Sequence, residues 1–170
     1  MEIEIYSKKN DNEKCIELSE HACHEAVHHY LWALAVRARR ISLLGTVRKQ
    51  EAIIAWQALV DGAKYNYKIF HDVIINTKWL YSALNNLSND YFALSDIEKA
   101  FDMIEELTHT LIHDYRECRK RGDHAVAEEI RSNFRFYLHS CYNLHYQTED
   151  NLIASDPRFK KCEKMLERID

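Results

Sequence analysis

The sequence predicts a mainly α fold, about six helices with one small β-strand or hairpin after the first of them. Three observations carry this. The chain has only three Gly and one Pro in 170 residues, too few breakers for a protein built on tight turns. Apolar residues recur at helical spacing through most of the chain. Helix-boundary residues stand where those periodic runs begin and end.

A first helix is expected over about Asn12 to Val36, where Ile16, Cys23, Val27, Tyr30 and Leu34 keep a single face. Ahead of it, Ile3 and Ile5 alternate with Glu and suggest a short strand over Glu2 to Tyr6. After it, Arg39-Arg40-Ile41-Ser42-Leu43-Leu44, closed by Gly45, reads as the second strand candidate. A second helix is expected over Arg48 to Ala63, with Gly62 marking its end, and a third over about Tyr67 to Leu87. The Asn-, Ser- and Asp-rich stretch Asn85 to Asp90 reads as a loop. Ser95-Asp96-Ile97-Glu98 has the form of a capping box and opens a fourth helix, which runs to about Lys120 before Gly122. A fifth covers about His124 to Gln147. The last begins at Pro157, a first-turn proline behind Asp156.

Apolar residues make up 46% of the chain and charged residues 29%, the balance of a globular domain. The length suits one domain spanning 1–170. A net charge of −4 gives no support for nucleic-acid binding, and the basic clusters Arg37, Arg39, Arg40 and Arg116 to Arg121 read as solvated helix ends. Five scattered Cys without a C-x-x-C pair indicate reduced thiols and a cytoplasmic location. The acidic N-terminus has no apolar signal region, and no window is long and apolar enough for a membrane span.

One stretch specifies chemistry. His24-Glu25-Ala26-Val27-His28 is an H-E-x-x-H pattern. On a helix the two imidazoles lie four residues apart on one face and reach one metal. The Glu between them stands beside a metal-bound water, whose proton it can take. Zinc then needs a further protein ligand, and His71, Asp72, Asp96, His109, His113 and His139 are the candidates. Sequence separation alone does not choose among them.

Ala22 to Leu31 resembles the opening of the FtsH-type zinc peptidase domain, where H-E-A-G-H is followed by apolar residues; Val27 stands here in place of the family's Gly. In the family's order there follow Arg40-Ile41-Ser42-Leu43, similar to its short strand, then Glu51 to Ala63, similar to its small-residue helix. Ser95-Asp96-Ile97-Glu98-Lys99-Ala100 is similar to the segment whose Asp completes the zinc site. The resemblance implies a zincin-like helical peptidase domain without the AAA ATPase module. It implies Zn2+ held by His24, His28 and Asp96, Glu25 as catalytic base, and an extended peptide or protein substrate held along Arg40 to Leu43. Without a motor such a chain would cleave exposed peptides, work with a protein partner or a second copy of itself, or be a degenerate relative.

Two other classes compete. The pairs Glu25/His28 and Glu106/His109 are both E-x-x-H units, as in di-iron carboxylate bundles. A non-catalytic helical interaction protein is the third reading, since ten Tyr and three Trp serve a core or an interface equally well.

Overall fold

Short, capped connections set the architecture. The computed structural model describes residues 12–146 and 157–166, and these form six helices. Helix α1 is Asn12–Ser42 and α2 is Lys49–Phe70, joined through the 3-10 turn Thr46–Arg48. Helix α3 begins at Val73–Ile75, passes through a π-helical turn at Asn76–Leu80 and continues as Tyr81–Ala93. Helix α4 is Ile97–Arg121, α5 is His124–Tyr146 and α6 is Pro157–Leu166. From α1 to α5 no connection exceeds six residues, so successive helices fold back on each other.

The mainly α expectation holds, but the strand at Arg40 to Leu43 is corrected. Helix α1 continues through Ser42, and Leu43 lies in the turn after it. Ala38 and Ile41, one turn apart, are both buried on the core side, which an extended chain would not allow. Arg39 and Arg40 occupy the last turn, where cations offset the helix dipole. No strand occurs among the described residues, and the strand expected at Glu2 to Tyr6 lies outside them.

Two boundaries also move. Helix α2 runs through Gly62 to Phe70. A Cβ at Gly62 would stand 3.2 Å from Leu31 Cδ2, so this glycine permits the close approach of α1 rather than ending a helix. Asn85 to Asp90 is helix, not loop. Leu84 and Leu87 are fully buried, and the Asn86 amide donates back to the Ser82 carbonyl at 2.7 Å. The fourth helix starts one residue later than the capping box predicts: Asp96, not Ser95, is its N-cap and accepts from the Lys99 N–H at 3.3 Å.

The contacts give the directions. Against α2, α1 is antiparallel, with Ser42 beside Lys49, Leu31 beside Gly62 and His24 beside Phe70. Against α3 it is parallel, with a constant offset: Ser42 pairs with Asp90 and His24 with Asp72, each 48 residues on. Leu31, Ala38, Trp56, Leu59, Val60, Leu84, Leu87 and Leu111 fill the space between the helices. Each fully buried Leu stabilises by roughly 1.5–3 kcal/mol through removal from water.

Two polar clusters punctuate this core. Lys49 Nζ donates to Asp90 Oδ1 at 2.5 Å and to Ser42 Oγ at 3.0 Å, and Ser42 Oγ donates to the same Asp90 oxygen. These three residues fasten α1, α2 and α3 together at one end. The second cluster depends on the π-turn. Asn76 Nδ2 and Tyr81 Oη both donate to Asp114 Oδ2 on α4, at 2.8 and 2.6 Å. In an α-helix, residues five apart point about 140° away from each other. The wider turn brings Asn76 and Tyr81 onto one carboxylate. Burial and the Asp114 charge push the Tyr81 phenol far up, so it stays a donor.

Asp90→Ala should lower the unfolding free energy by about 1–3 kcal/mol, because it leaves the half-buried Lys49 ammonium without its carboxylate. Replacing both partners with apolar residues of similar volume should recover most of that loss. Denaturant midpoints of the two variants check this.

Candidate metal centre

The H-E-x-x-H pattern lies within α1, so its two His stand one helical turn apart. Their ring centroids are 4.6 Å apart at an interplanar angle of 66°. The third member comes from the corner between α2 and α3. His71 takes a left-handed backbone (φ 50°) and ends α2, its N–H donating to the Tyr67 carbonyl. The next residue, Asp72, is extended and caps α3. Its Oδ1 accepts from the Ile74 N–H at 2.8 Å, which fixes the carboxylate. Its Oδ2 faces the imidazoles, 2.5 Å from His24 Nε2 and 3.9 Å from His28 Nε2.

One donor atom from each of His24, His28 and Asp72 falls within a 4.8 Å span, and this is the group of metal-ligating side chains found among the described residues. Two imidazoles and a carboxylate suit zinc and similar divalent ions. Around a tetrahedral ion, ligand atoms lie roughly 3.4 Å apart, given bonds near 2.1 Å. The His24–Asp72 contact is therefore closed to a direct hydrogen bond and would open around an ion, while the His28–Asp72 distance would shorten.

The surroundings constrain the rings. His24 packs edge-on against Phe70 at 5.9 Å, and His28 lies 6.4 Å from the Trp79 ring. Trp79 Nε1–H donates to His28 Nδ1 at 3.1 Å. An indole N–H only donates, so the neutral His28 ring keeps its own hydrogen on Nε2. Metal-binding His more commonly donates from the second nitrogen, so this bond opposes a metal at Nε2. Burial, with the nearby His24 and Lys78 charges, lowers the His28 pKa from its ordinary 6.5, against the pull of Asp72 and Glu25.

The structure brings together only part of the residue set expected from the sequence. His24 and His28 converge, and Glu25 between them is exposed. Asp96 does not join them. It caps α4 and pairs with Lys99 Nζ at 2.7 Å, a bond that holds its carboxyl below the usual range. Asp72 precedes α3 and Asp96 follows it, so the 21 residues of that helix separate the two by about 30 Å. Arg40, Ile41, Ser42 and Leu43 offer no edge strand: Ile41 is in the core, Ser42 binds Asp90, and Leu43 is exposed. The second E-x-x-H unit does not face the first. Glu106 pairs with Lys64 and His109 with Glu105. His113 contacts Asp114. The side chain of His139 lies outside the described residues.

Sequence reasoning named Asp72 among six candidates, and one signal could have raised it. An Asp directly before Val73-Ile74-Ile75 is an N-cap, and a helix start there would have split the expected third helix. Nothing in the spacing identifies Trp79.

Because folding favours the neutral His28 ring, its contribution to stability is complete above its ordinary 6.5 and is lost as the pH falls through the lowered folded value. An NMR titration of the His28 ring should give a midpoint below 6.5.

No protein-family model, no curated protein and no solved structure matches this chain.

Proposed function

We propose that the chain binds one zinc-class divalent ion through His24, His28 and Asp72, and that Glu25 makes this a hydrolytic centre acting on peptide bonds. The observation that carries the reading is the convergence of Asp72 on both His of the H-E-x-x-H helix, from a point 44 residues beyond His28. A bound ion would supply Lewis acidity, polarising a carbonyl and acidifying a water. The chain's own residues do the rest. The backbone of α3 holds Asp72 in place through Ile74. Exposed Glu25 takes a proton from the attacking water and passes it to the leaving amine. Val27 packs against the core. The ligand set proposed here departs from the FtsH-type pattern by using Asp72 in place of Asp96. The expected edge strand is absent among the described residues, so a substrate would be held by side chains beside the site, or by a partner.

A second reading has its own support. The Trp79 donor to His28 and the short His24–Asp72 bond suit a metal-free clamp that ties α1 to the α2–α3 corner. There the H-E-x-x-H pattern would be structural and the protein a helical interaction module.

Metal analysis of protein made without a His-tag separates the two. The metal reading expects one zinc per chain, lost in His24→Ala, His28→Ala and Asp72→Ala and kept in Asp96→Ala and Glu25→Gln. Cleavage of casein or a peptide should stop with chelator and in Glu25→Gln. Absence of bound zinc in a folded wild-type chain would sink the metal reading and leave the clamp. Trp79→Phe should tighten zinc binding by about five-fold or more, since a donor that opposes the metal-binding tautomer is removed.

A further inference from the structure

The end of the bundle away from the histidines carries a different chemistry, independent of the metal reading. Leu43, Leu44 and Val47 form the corner between α1 and α2, and all three are exposed, Val47 at 96%. The corner has a fixed shape. Gly45 takes φ 89° and ψ −173°, a backbone open in practice only to glycine, and a Cβ there would meet nothing within 4 Å. The Leu44 N–H donates to the Ile41 carbonyl at 3.0 Å, and the Arg48 N–H to the Gly45 carbonyl at 3.2 Å. Apolar side chains are thus held outward on a corner whose backbone bonds to itself. The same end holds a second such corner. Helices α1 and α3 run parallel with Ser42 beside Asp90, so the turn after α3 emerges at the same end, and Leu94 and Ile97 are exposed there.

Positive charge gathers at the first corner. From Ala26 to Gln50 the chain has five cations, Arg37, Arg39, Arg40, Arg48 and Lys49, and no Asp or Glu, although its net charge is −4. Arg48 pairs with Glu51 and Lys49 with Asp90. Beside the second corner, Asp96 pairs with Lys99 and Glu98 with Arg158. These carboxylates are taken, and exposed Arg37, Arg39 and Arg40 have no ion-pair partner among the described residues. Arg39 and Arg40 share a shallow hollow with Val36 and Leu43, so the cations lie against the apolar tip. The helix dipole accounts for two cations in the last turn of α1, but not for the uncovered leucines beside them.

We propose that this end of the bundle docks on an anionic lipid surface. Leu43, Leu44 and Val47 enter the headgroup layer, and Arg37, Arg39 and Arg40 pair with the acidic groups of the lipids. Shape favours a membrane over a protein partner. A partner's helix or strand needs a groove or a free edge, whereas a protruding corner with an apolar tip and basic flanks fits a soft interface that closes round it. The attraction of anionic headgroups for Arg falls off within roughly 8 Å at physiological salt. The Leu43 N–H bonds the Arg39 carbonyl at 3.1 Å, a single helical turn, so cation and leucine both lie within that reach. No helix among the described residues is long and apolar enough to cross a membrane, and the proposed contact is peripheral. The docked chain leaves the histidines about 27 Å further along α1, facing water.

The test is flotation of the chain with lipid vesicles at about 0.1 M salt, made of phosphatidylcholine alone or with about 30% phosphatidylserine. The expected result is binding to the anionic vesicles only. It should weaken about ten-fold or more in Leu44→Ser/Val47→Ser, and by a similar factor in Arg39→Gln/Arg40→Gln. Salt at about 0.5 M should weaken it as well. All four side chains are exposed, so both variants are expected to fold, and circular dichroism checks them. Val47→Ser alone, at the most exposed position, serves if the double change does not fold. No binding to the anionic vesicles would overturn the proposal, as would equal binding to the neutral ones or unchanged binding in the Arg variant. Full binding by the Leu44→Ser/Val47→Ser variant, with loss in the Arg variant, would leave a general polyanion surface and overturn insertion. A dimer in lipid-free solution that Leu44→Ser/Val47→Ser dissolves, seen by sedimentation, would assign the corner to a second copy instead.

Discussion

The parallel register of α1 on α3 is the constraint on which everything else rests. It is fixed at one end by a half-buried ammonium between a hydroxyl and a buried carboxylate, Lys49 with Ser42 and Asp90. The Asp90 carboxylate is removed from water and tolerates little displacement from its partners, so this contact sets the register more sharply than apolar packing alone. With Ser42 held opposite Asp90, the same offset of 48 residues puts His24 opposite Asp72 at the other end. Slipping α1 by one residue would rotate its face by about 100° and lose the clamp and the candidate metal centre together.

Much of the architecture could be read from composition and helix boundaries. Few Gly and Pro, the Ser95 to Glu98 signature and Pro157 behind Asp156 give helices in the right places. What misled were local signals with two physical meanings. Arg39 to Leu43 has the short apolar content of a strand, but its buried Ile41 shares with the preceding Ala38 a helix face that becomes visible only once α2 and α3 pack on it. Asn85 to Asp90 has loop composition, but Asn86 satisfies itself on the helix behind it and Asp90 is neutralised by Lys49, 41 residues earlier. Polar residues read as a loop only when no distant partner awaits them.

The candidate site divides along the same line. Local periodicity places His24 and His28 together because four residues make about one turn. The third group depends on a two-residue corner, where His71 turns left-handed and Asp72 caps the next helix. The carboxylate is thus presented by backbone geometry, and its partner Oδ1 is spent on holding it there. Asp96 is the residue a one-dimensional pattern prefers. A full helix length keeps it away, and the capping role that made the motif recognisable accounts for its presence.

The π-turn in α3 has a wider meaning than its hydrogen bonds to α4. A wide turn is one surplus residue absorbed inside a helix, so the segments on either side keep separate rotational settings. Asp72 and its cap belong to the first setting, and the buried face of Leu84 and Leu87 to the second. Trp79 sits within the turn itself and donates to His28 from there. The helix therefore behaves as two tools on one shaft, and the face beyond the turn could be reset without disturbing the carboxylate that faces the histidines.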